Sequence, residues 1–110
     1  MKLARIVAEL GLENLAAGDL TREVTGGYCS DLLSDVLAHV APGELWITHQ
    51  RHLNVVAVAK LRDVAGVIFA QGNRPGHDVV SRAAAEGVNL FLSERSAFEI
   101  AGRLYRLLRP

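Results

Sequence analysis

Short apolar runs alternate with segments of helical periodicity throughout the second half of the chain, and this alternation restricts the fold more than any other feature. The apolar runs have the length and composition of buried strands, and they cover Glu44–Thr48, Ala65–Ala70 and Val88–Leu92. Apolar residues at helical spacing follow each run, over Leu53–Leu61, Asp78–Glu86 and Ala97–Leu108. Because such alternation implies right-handed crossovers, the sequence predicts an α/β fold with a mainly parallel sheet and helices on both faces.

The first half of the chain predicts fewer elements. A short helix over Leu3–Leu10 ends at Gly11, a brief extended piece follows, and Leu20–Val24 alternates apolar and polar residues like a strand. Ser30 stands at the N-cap position of a helix that we predict over Asp31–Val40.

Two adjacent glycines, Gly26 and Gly27, join the predicted strand to that helix. Glycine tolerates positive φ and allows another backbone to approach closely. A turn that presents free amides at a helix start can hold an anion or the carboxylate of a partner. The same pair can equally form only a tight corner, and the sequence leaves both interpretations open.

The sequence around and after these glycines resembles the DRTGG domain family. The resemblance rests on EVTGGY at Glu23–Tyr28, the following SDLLSDVL, LWIT at Leu45–Thr48, HLNVVAVA at His52–Ala59, Gly72, Pro75 and the closing AFEIAGRLYRLL. Two residues separate Arg22 from the Thr-Gly-Gly, and Asp19 lies further upstream, so the resemblance implies the fold rather than a role for an Asp-Arg pair. It implies a three-layer α/β fold similar to the N-terminal domain of HPr kinase/phosphorylase and to the middle domain of phosphotransacetylase.

The resemblance also implies a class of function. Members of the family do regulatory and oligomerising work beside catalytic domains such as phosphotransacetylase, and beside nucleotide-sensing CBS domains. Relatives that hydrolyse or transfer phosphate do so with other domains. The resemblance therefore implies a module without kinase or transferase activity.

Length and composition exclude several classes of protein. A chain of 110 residues has room for one core, so we expect a single stand-alone domain over residues 1–110. The formal net charge is zero, which argues against binding to nucleic acid or to a membrane surface, since both need an excess of cations. Cys29 is the only cysteine, and the N-terminal segment is too interrupted by charges to be a signal peptide, so we expect a cytoplasmic protein. We expect Cys29 itself to be buried, with a lowered thiol pKa only if it is exposed near the helix start.

Polar residues concentrate where the predicted strands end. Open parallel sheets bind ligands outside the carboxyl ends of their strands, so we expect one ligand-binding site shared by the diglycine bend and the loops after the three later strands. Its candidate residues are Thr25, Gly26, Gly27, Thr48, His49, Arg51, His52, Asn54, Gly72 and Asn73. Arg51 is suited to clamp a phosphate or carboxylate, either histidine to donate to it, and Asn54 to fix the helix start. The alternative is a solvated loop with a capping asparagine.

Motifs for catalysis, for a cofactor or for a metal are missing from the sequence. His49 and His52 have a tolerable ligand spacing, but no Cys, Asp or Glu nearby completes a metal site. There is no nucleophile elbow and no phosphate loop, and Lys2 and Lys60 are far in sequence from the glycines. The sequence therefore predicts a protein that is not an enzyme and holds no cofactor.

Two hypotheses of different classes follow. The first is a regulatory module that binds a small anionic metabolite or nucleotide, forms a homodimer and acts on a partner enzyme or signalling protein. The second is an assembly module without a ligand, whose helix faces and Trp46 form the homodimer interface. The arginines of the last helix, Arg103, Arg106 and Arg109, are interpreted as solvated cations favoured at a helix C-terminus.

Overall fold

A computed structural model describes all 110 residues, and its architecture follows the predicted alternation. The elements in chain order are α1 (Leu3–Leu10), β1 (Glu13–Ala16), β2 (Gly26–Cys29), α2 (Leu33–His39), β3 (Glu44–Thr48), α3 (Asn54–Leu61), β4 (Gly66–Phe69), α4 (His77–Glu86), β5 (Leu90–Leu92) and α5 (Ala97–Leu108). The strands form one sheet in the order β1-β5-β4-β3-β2. Strands β2 to β5 are parallel, and β1 pairs antiparallel with β5. The predicted α/β fold with a mainly parallel sheet is confirmed.

Helices cover both faces of the sheet, and each face has its own core. Helices α2, α3 and α4 pack on one face against Trp46, Val67 and Phe69. Helices α1 and α5 pack on the other face against Ile47 and Ile68. Because successive strand residues point to opposite faces, a sheet covered on both sides needs strands that are apolar at every position, as observed in the central strands.

Helix α3 forms as predicted although its sequence is rich in valine. β-branched residues are weak helix formers, because the preceding turn restricts their side chains. Val55 and Val56 are fully buried against the sheet. Burial of the apolar face therefore outweighs the intrinsic preference.

The predicted strand over Leu20–Val24 is wrong, and the chain around the glycines is organised differently. Glu23 makes only an isolated bridge to Lys2, and the strand begins at Gly26 instead. Neither Gly26 nor Gly27 has a positive φ. A Cβ on Gly27 would lie 2.8 Å from Cδ2 of Leu104, so α5 packs closely on this strand and a larger residue would require Leu104 to shift. The diglycine is a packing feature inside a strand rather than a turn.

Helix α2 begins two residues later than predicted. Ser30 is not its N-cap, because the Ser30 hydroxyl accepts a hydrogen bond from the Leu32 amide outside the helix. Asp31 does not lie in the first turn either, since its carboxylate binds groups at the end of β3. Leu32 occupies the N-cap position without a side-chain hydrogen bond. Tertiary partners of Asp31 thus decide where the helix starts.

Candidate functional site

The carboxyl ends of the four parallel strands lie along one edge of the sheet, which we name the carboxyl rim. It consists of residues 30–31 after β2, 48–54 after β3, 70–76 after β4 and 93–96 after β5. Helices α2 to α5 all begin at this rim, so the positive ends of their dipoles are directed to it. The predicted site residues that the fold brings together here are Thr48, His49, Arg51, His52, Asn54, Gly72 and Asn73.

The carboxyl rim is a shallow surface rather than a crevice. In doubly wound sheets, the ligand crevice opens where the strand order reverses and neighbouring crossovers pass to opposite faces. The parallel strands here follow one another without reversal, and the connecting helices α2 to α4 all pack on the same face. None of the cavities in the structure is lined by rim residues. A ligand at the rim would therefore lie on an exposed surface.

Asp31 joins the ends of β2 and β3 at this rim. One of its carboxylate oxygens accepts hydrogen bonds from the Thr48 hydroxyl at 2.9 Å and the His49 amide at 2.7 Å, and the other lies 3.1 Å from Nδ1 of His49. Burial disfavours the ionised carboxyl, but these hydrogen bonds outweigh burial and hold the pKa of Asp31 below its ordinary value. Sequence reasoning placed Asp31 in a helix and missed this role. The signal was an acidic residue immediately after a strand.

We expect Asp31→Asn to destabilise the protein at neutral pH and to have less effect in acid. Because the folded-state pKa lies below the unfolded one, the carboxylate stabilises the fold above about pH 4, and this contribution is lost as the pH falls through the folded-state pKa. The side chain is 57% exposed, so the loss at neutral pH should not exceed about 1 kcal/mol.

Urea denaturation of both proteins at about pH 7 and about pH 2.5 measures this difference. Glu94→Gln is the control, because Glu94 is a rim carboxylate that accepts no hydrogen bond within the chain. A difference between wild type and Asp31→Asn that is equal at the two pH values would contradict the assigned role of the carboxylate.

The loop after β3 satisfies its own amides with its own side chains. The Thr48 hydroxyl accepts from the Gln50 amide at 3.0 Å, and the Gln50 side-chain carbonyl accepts from the His52 amide at 3.1 Å. Nδ1 of His52 accepts from the Asn54 amide at 3.0 Å. The prediction that Asn54 fixes the start of α3 is therefore wrong, since His52 takes that role. With Nδ1 used as an acceptor, Nε2 is the ring nitrogen of His52 that is left to donate to a ligand.

Arg51 is the one rim arginine without a carboxylate partner. Its guanidinium donates to the Arg74 carbonyl at 3.3 Å. By contrast, Arg74 is paired with Glu13 at 2.9 Å, and Arg95 is paired with Glu99. A guanidinium held between the loops after β3 and β4 has donors left for a phosphate or carboxylate.

Gly72 and Asn73 are used to shape the loop after β4. The Gly72 amide donates to the Ser93 carbonyl at 2.8 Å, and the Asn73 side chain donates to the Ala70 carbonyl at 2.9 Å. Gly72 has a φ of 67°, and the Glu94 carboxylate lies directly against it. These two residues therefore hold the rim in shape, and the Gly72 amide is not free to donate to a ligand.

Thr25, Gly26 and Gly27 lie at the amino ends of the strands, on the side of the sheet opposite the carboxyl rim. The predicted site that shares them with the other loops is therefore not formed. The two glycines pair with the first two residues of β3, and the Thr25 hydroxyl donates to the Pro42 carbonyl at 3.2 Å. The carboxyl end of β3 lies about 10 to 13 Å further along the strand. The error arose because the strand was predicted before the glycine pair, over Leu20–Val24, whereas the glycines are the first two residues of β2.

The structure also fixes the environments of Trp46, Tyr28 and Cys29. Trp46 is fully buried and its indole N–H donates to the Ser30 carbonyl at 2.8 Å, so the predicted interface role of Trp46 is wrong. Tyr28 is half-buried, and its hydroxyl donates to Asp35 at 2.9 Å. Cys29 is exposed, which corrects the prediction that it is buried. Partial burial of its sulfur and the charge of Asp31 raise the pKa of the thiol, so it is not an activated nucleophile.

The cavities of the structure lie away from the rim. The largest, of about 580 Å³, lies between α1 and α5, and a second of about 130 Å³ lies between β2 and α5. The third, of about 120 Å³, is at the amino ends of the strands beside Arg22 and Lys60. Nowhere do three or more His, Cys, Asp or Glu side chains converge as metal ligands. None of the helices combines the length and the hydropathy needed to cross a lipid bilayer.

Comparisons with known proteins identify a fold rather than a family. No protein-family model matches the sequence, and no curated protein matches it. Among solved structures, the CBS and DRTGG domains of the regulatory region of Clostridium perfringens pyrophosphatase, complexed with the activator diadenosine tetraphosphate, are similar, with a TM-score of 0.71 and 15% identity. The match covers 94% of this chain and 45% of that one. At this identity the likeness shows the fold alone, which is a DRTGG-related α/β fold.

Proposed function

We propose that this chain is a non-catalytic regulatory module that binds a small anionic ligand at the carboxyl rim and self-associates. The observation that carries the binding half is Arg51, a guanidinium without a carboxylate partner at the edge where four helices begin. Positive helix ends and a guanidinium with unused donors both favour an anion, and phosphate oxygens match the donor geometry of arginine.

The fold neighbour supports a nucleotide or another phosphorylated metabolite as the ligand class. That neighbour is a regulatory region in complex with a nucleotide activator. On this chain, His49 and His52 flank Arg51 in the same loop, and His52 has its Nε2 proton free because Nδ1 accepts from the Asn54 amide. The proposed site therefore combines Arg51 with imidazole donors on an exposed surface.

We expect Arg51→Ala to weaken binding of the ligand about tenfold or more, because it removes a charge-assisted contact to the anion. Calorimetric titration with diadenosine tetraphosphate, ATP, AMP, acetyl phosphate and NADH measures the binding. Arg82→Ala is the matched control, since Arg82 is an exposed arginine on α4 that pairs with Glu86 away from the rim. Absence of binding to folded wild-type protein for every compound would refute the binding half. Equal affinity in Arg51→Ala would refute the rim as its site.

A second candidate is an assembly module without a ligand. It is favoured by the exposed aromatic residues of α5, Phe98 and Tyr105, together with the absence of a cavity at the rim. Trp46 has no part in this version, because it is buried. Sedimentation separates the two candidates, since a dimer that is indifferent to every compound above favours assembly alone.

The proposal includes a single domain over residues 1–110, a cytoplasmic location and a partner enzyme or signalling protein. An exposed, lone cysteine suits a reducing compartment. A module without catalytic groups acts only through what it contacts, so the ligand would change the self-association or the partner contact.

A further inference from the structure

Helix α5 presents a stripe of residues on the side away from the core, and within it only the Tyr105 ring has a side chain over it, the guanidinium of Arg109 at 5.3 Å from the ring centre. Phe98, Gly102 and Tyr105 recur at i, i+4 and i+7 and form this outer stripe. Phe98 is 90% exposed and Tyr105 is 64% exposed. Large aromatic side chains at this exposure, in line on one helix, mark a surface that contacts another molecule.

Gly102, between the two aromatic residues, has no function within the chain that requires glycine. It lies inside a 12-residue helix, where glycine is a poor helix former. Its φ is not positive, and a Cβ built on it has no neighbouring atom within 4 Å. A glycine at the centre of an exposed aromatic stripe fits a helix that another backbone approaches closely.

The surroundings of the outer stripe provide a groove and both signs of charge. The cavity of about 580 Å³ between α1 and α5 runs along one side of the stripe, and Leu10, Arg106 and Leu107 line it. The first turn of α5 carries Glu99, and its last turn carries Arg106. Arg106 has no carboxylate partner within the chain, whereas Glu99 is paired with both Arg95 and Arg103.

We infer that the outer stripe of α5 is the surface through which two copies of this chain associate, with their α5 helices antiparallel and crossing at Gly102. The inference rests on the self-association in the proposed function, and it names the surface and the arrangement. Antiparallel helices that cross at residue 102 bring residue 98 of one copy to residue 106 of the other. Phe98 then enters the partner's groove beside its Arg106 and Leu107, where the ring can stack on the guanidinium.

Self-complementarity identifies a second copy as the occupant. The same surface supplies the protruding ring, the groove that receives it and the glycine that lets the backbones meet. Arg106, which has no carboxylate partner in its own chain, lies beside Phe98 of the other copy, and the two helix dipoles oppose each other. An isologous interface about a two-fold axis requires this kind of match.

Sedimentation equilibrium of variants tests the surface. We expect Phe98→Glu to weaken the dimer about 30-fold or more, since both copies lose their central aromatic contact. Leu61→Glu is the matched control, because Leu61 is 72% exposed at the end of α3 on the opposite face of the sheet, and its dimer should keep the wild-type affinity.

Gly102→Ala should change the stability of the monomer and the affinity of the dimer in opposite directions. It should raise the melting temperature of the dilute monomer by about 4 °C or more through helix propensity, and it should weaken the dimer by about tenfold.

A cross-link tests the arrangement independently of affinity. In a Cys29→Ser background, Gly102→Cys places two thiols at the two-fold crossing, and oxidation should give a covalent dimer on a non-reducing gel. Leu61→Cys in the same background should not cross-link. A dimer that survives Phe98→Glu, with no cross-link at residue 102, would overturn this surface while leaving self-association intact. A wild-type protein that is monomeric at millimolar concentration would overturn both, whereas the calorimetric test of the rim would be unaffected.

Discussion

Replacement of Trp46 by alanine is expected to lower the free energy of unfolding by about 4 kcal/mol, a large part of the stability of a domain of this size. Trp46 is fully buried in β3 among the valines of α2 and α3. Truncation removes its packing and leaves a cavity. It also leaves the Ser30 carbonyl without the indole N–H that donates to it at 2.8 Å. Urea denaturation measures the change. It should be monitored by far-ultraviolet circular dichroism, because the variant lacks the only tryptophan and therefore its fluorescence signal.

Phe98→Ala is the matched aromatic control for this variant. Phe98 is 90% exposed, so its truncation should change the free energy of unfolding of the monomer by no more than about 0.5 kcal/mol. Both variants should be measured at concentrations where the chain is monomeric. A loss below about 1 kcal/mol for Trp46→Ala, or equal losses for the two, would contradict the burial of Trp46.

Asn89→Leu, which keeps the number of side-chain heavy atoms, is expected to destabilise the protein by about 3 kcal/mol. Asn89 is 4% exposed. Its side-chain oxygen accepts from the Gly18 amide at 2.6 Å, and its nitrogen donates to the carbonyls of Asp19 and Ala65. Leucine satisfies none of these backbone groups, and each buried polar group left unpaired costs about 1–3 kcal/mol.

Asn14→Leu controls for the change of residue type. Asn14 lies on β1, is exposed and makes no side-chain hydrogen bond within the chain. Its substitution should change the free energy of unfolding by no more than about 0.5 kcal/mol. If Asn89→Leu were as mild as Asn14→Leu in urea denaturation, the three hydrogen bonds would not be what ties residues 18 and 19 to the start of β4.

The second half of the fold was predictable because local patterns and tertiary structure agree there. Runs such as Ala65–Ala70 are apolar on both faces, which is what a sheet covered by helices requires. Ser96 caps α5, since its hydroxyl accepts from the Glu99 amide at 3.2 Å, and serine is a residue type that favours this position. Where burial and propensity disagree, as at Val55 and Val56, the apolar periodicity was the better guide.

The first half was less predictable because its structure depends on distant partners. Gly27 allows close packing against Leu104 on the last helix, and Gly26 lies against the side chain of Glu44. A sequence pattern does not distinguish a glycine that turns the chain from one that admits a helix. The pattern therefore predicts the two glycines after a strand and at its carboxyl end. In the structure they begin β2 and lie at the amino ends of the strands.

The candidate site was predictable only in part, because some of its contacts also join residues that are distant in sequence. Arg51 and the histidines beside it follow a strand whose direction was correctly assigned, so they lie on the carboxyl rim as expected. Asp31 was missed because its partners are in the loop after β3 rather than in its own segment. The crevice expected at the rim is absent, since the strand order never reverses, and order is a property of the whole sheet.

The position of β1 beside β5 has a consequence for how the chain is made. Strands β2, β3 and β4 each pair with the strand that follows next, so this part can assemble step by step as the polypeptide leaves the ribosome. Strand β1 is synthesised first but pairs only with β5, and α1 packs in the same core as α5. Strand β1 therefore cannot pair until β5 has been made. Until β1 docks, β5 has an open edge, where a neighbouring nascent chain can pair in its place.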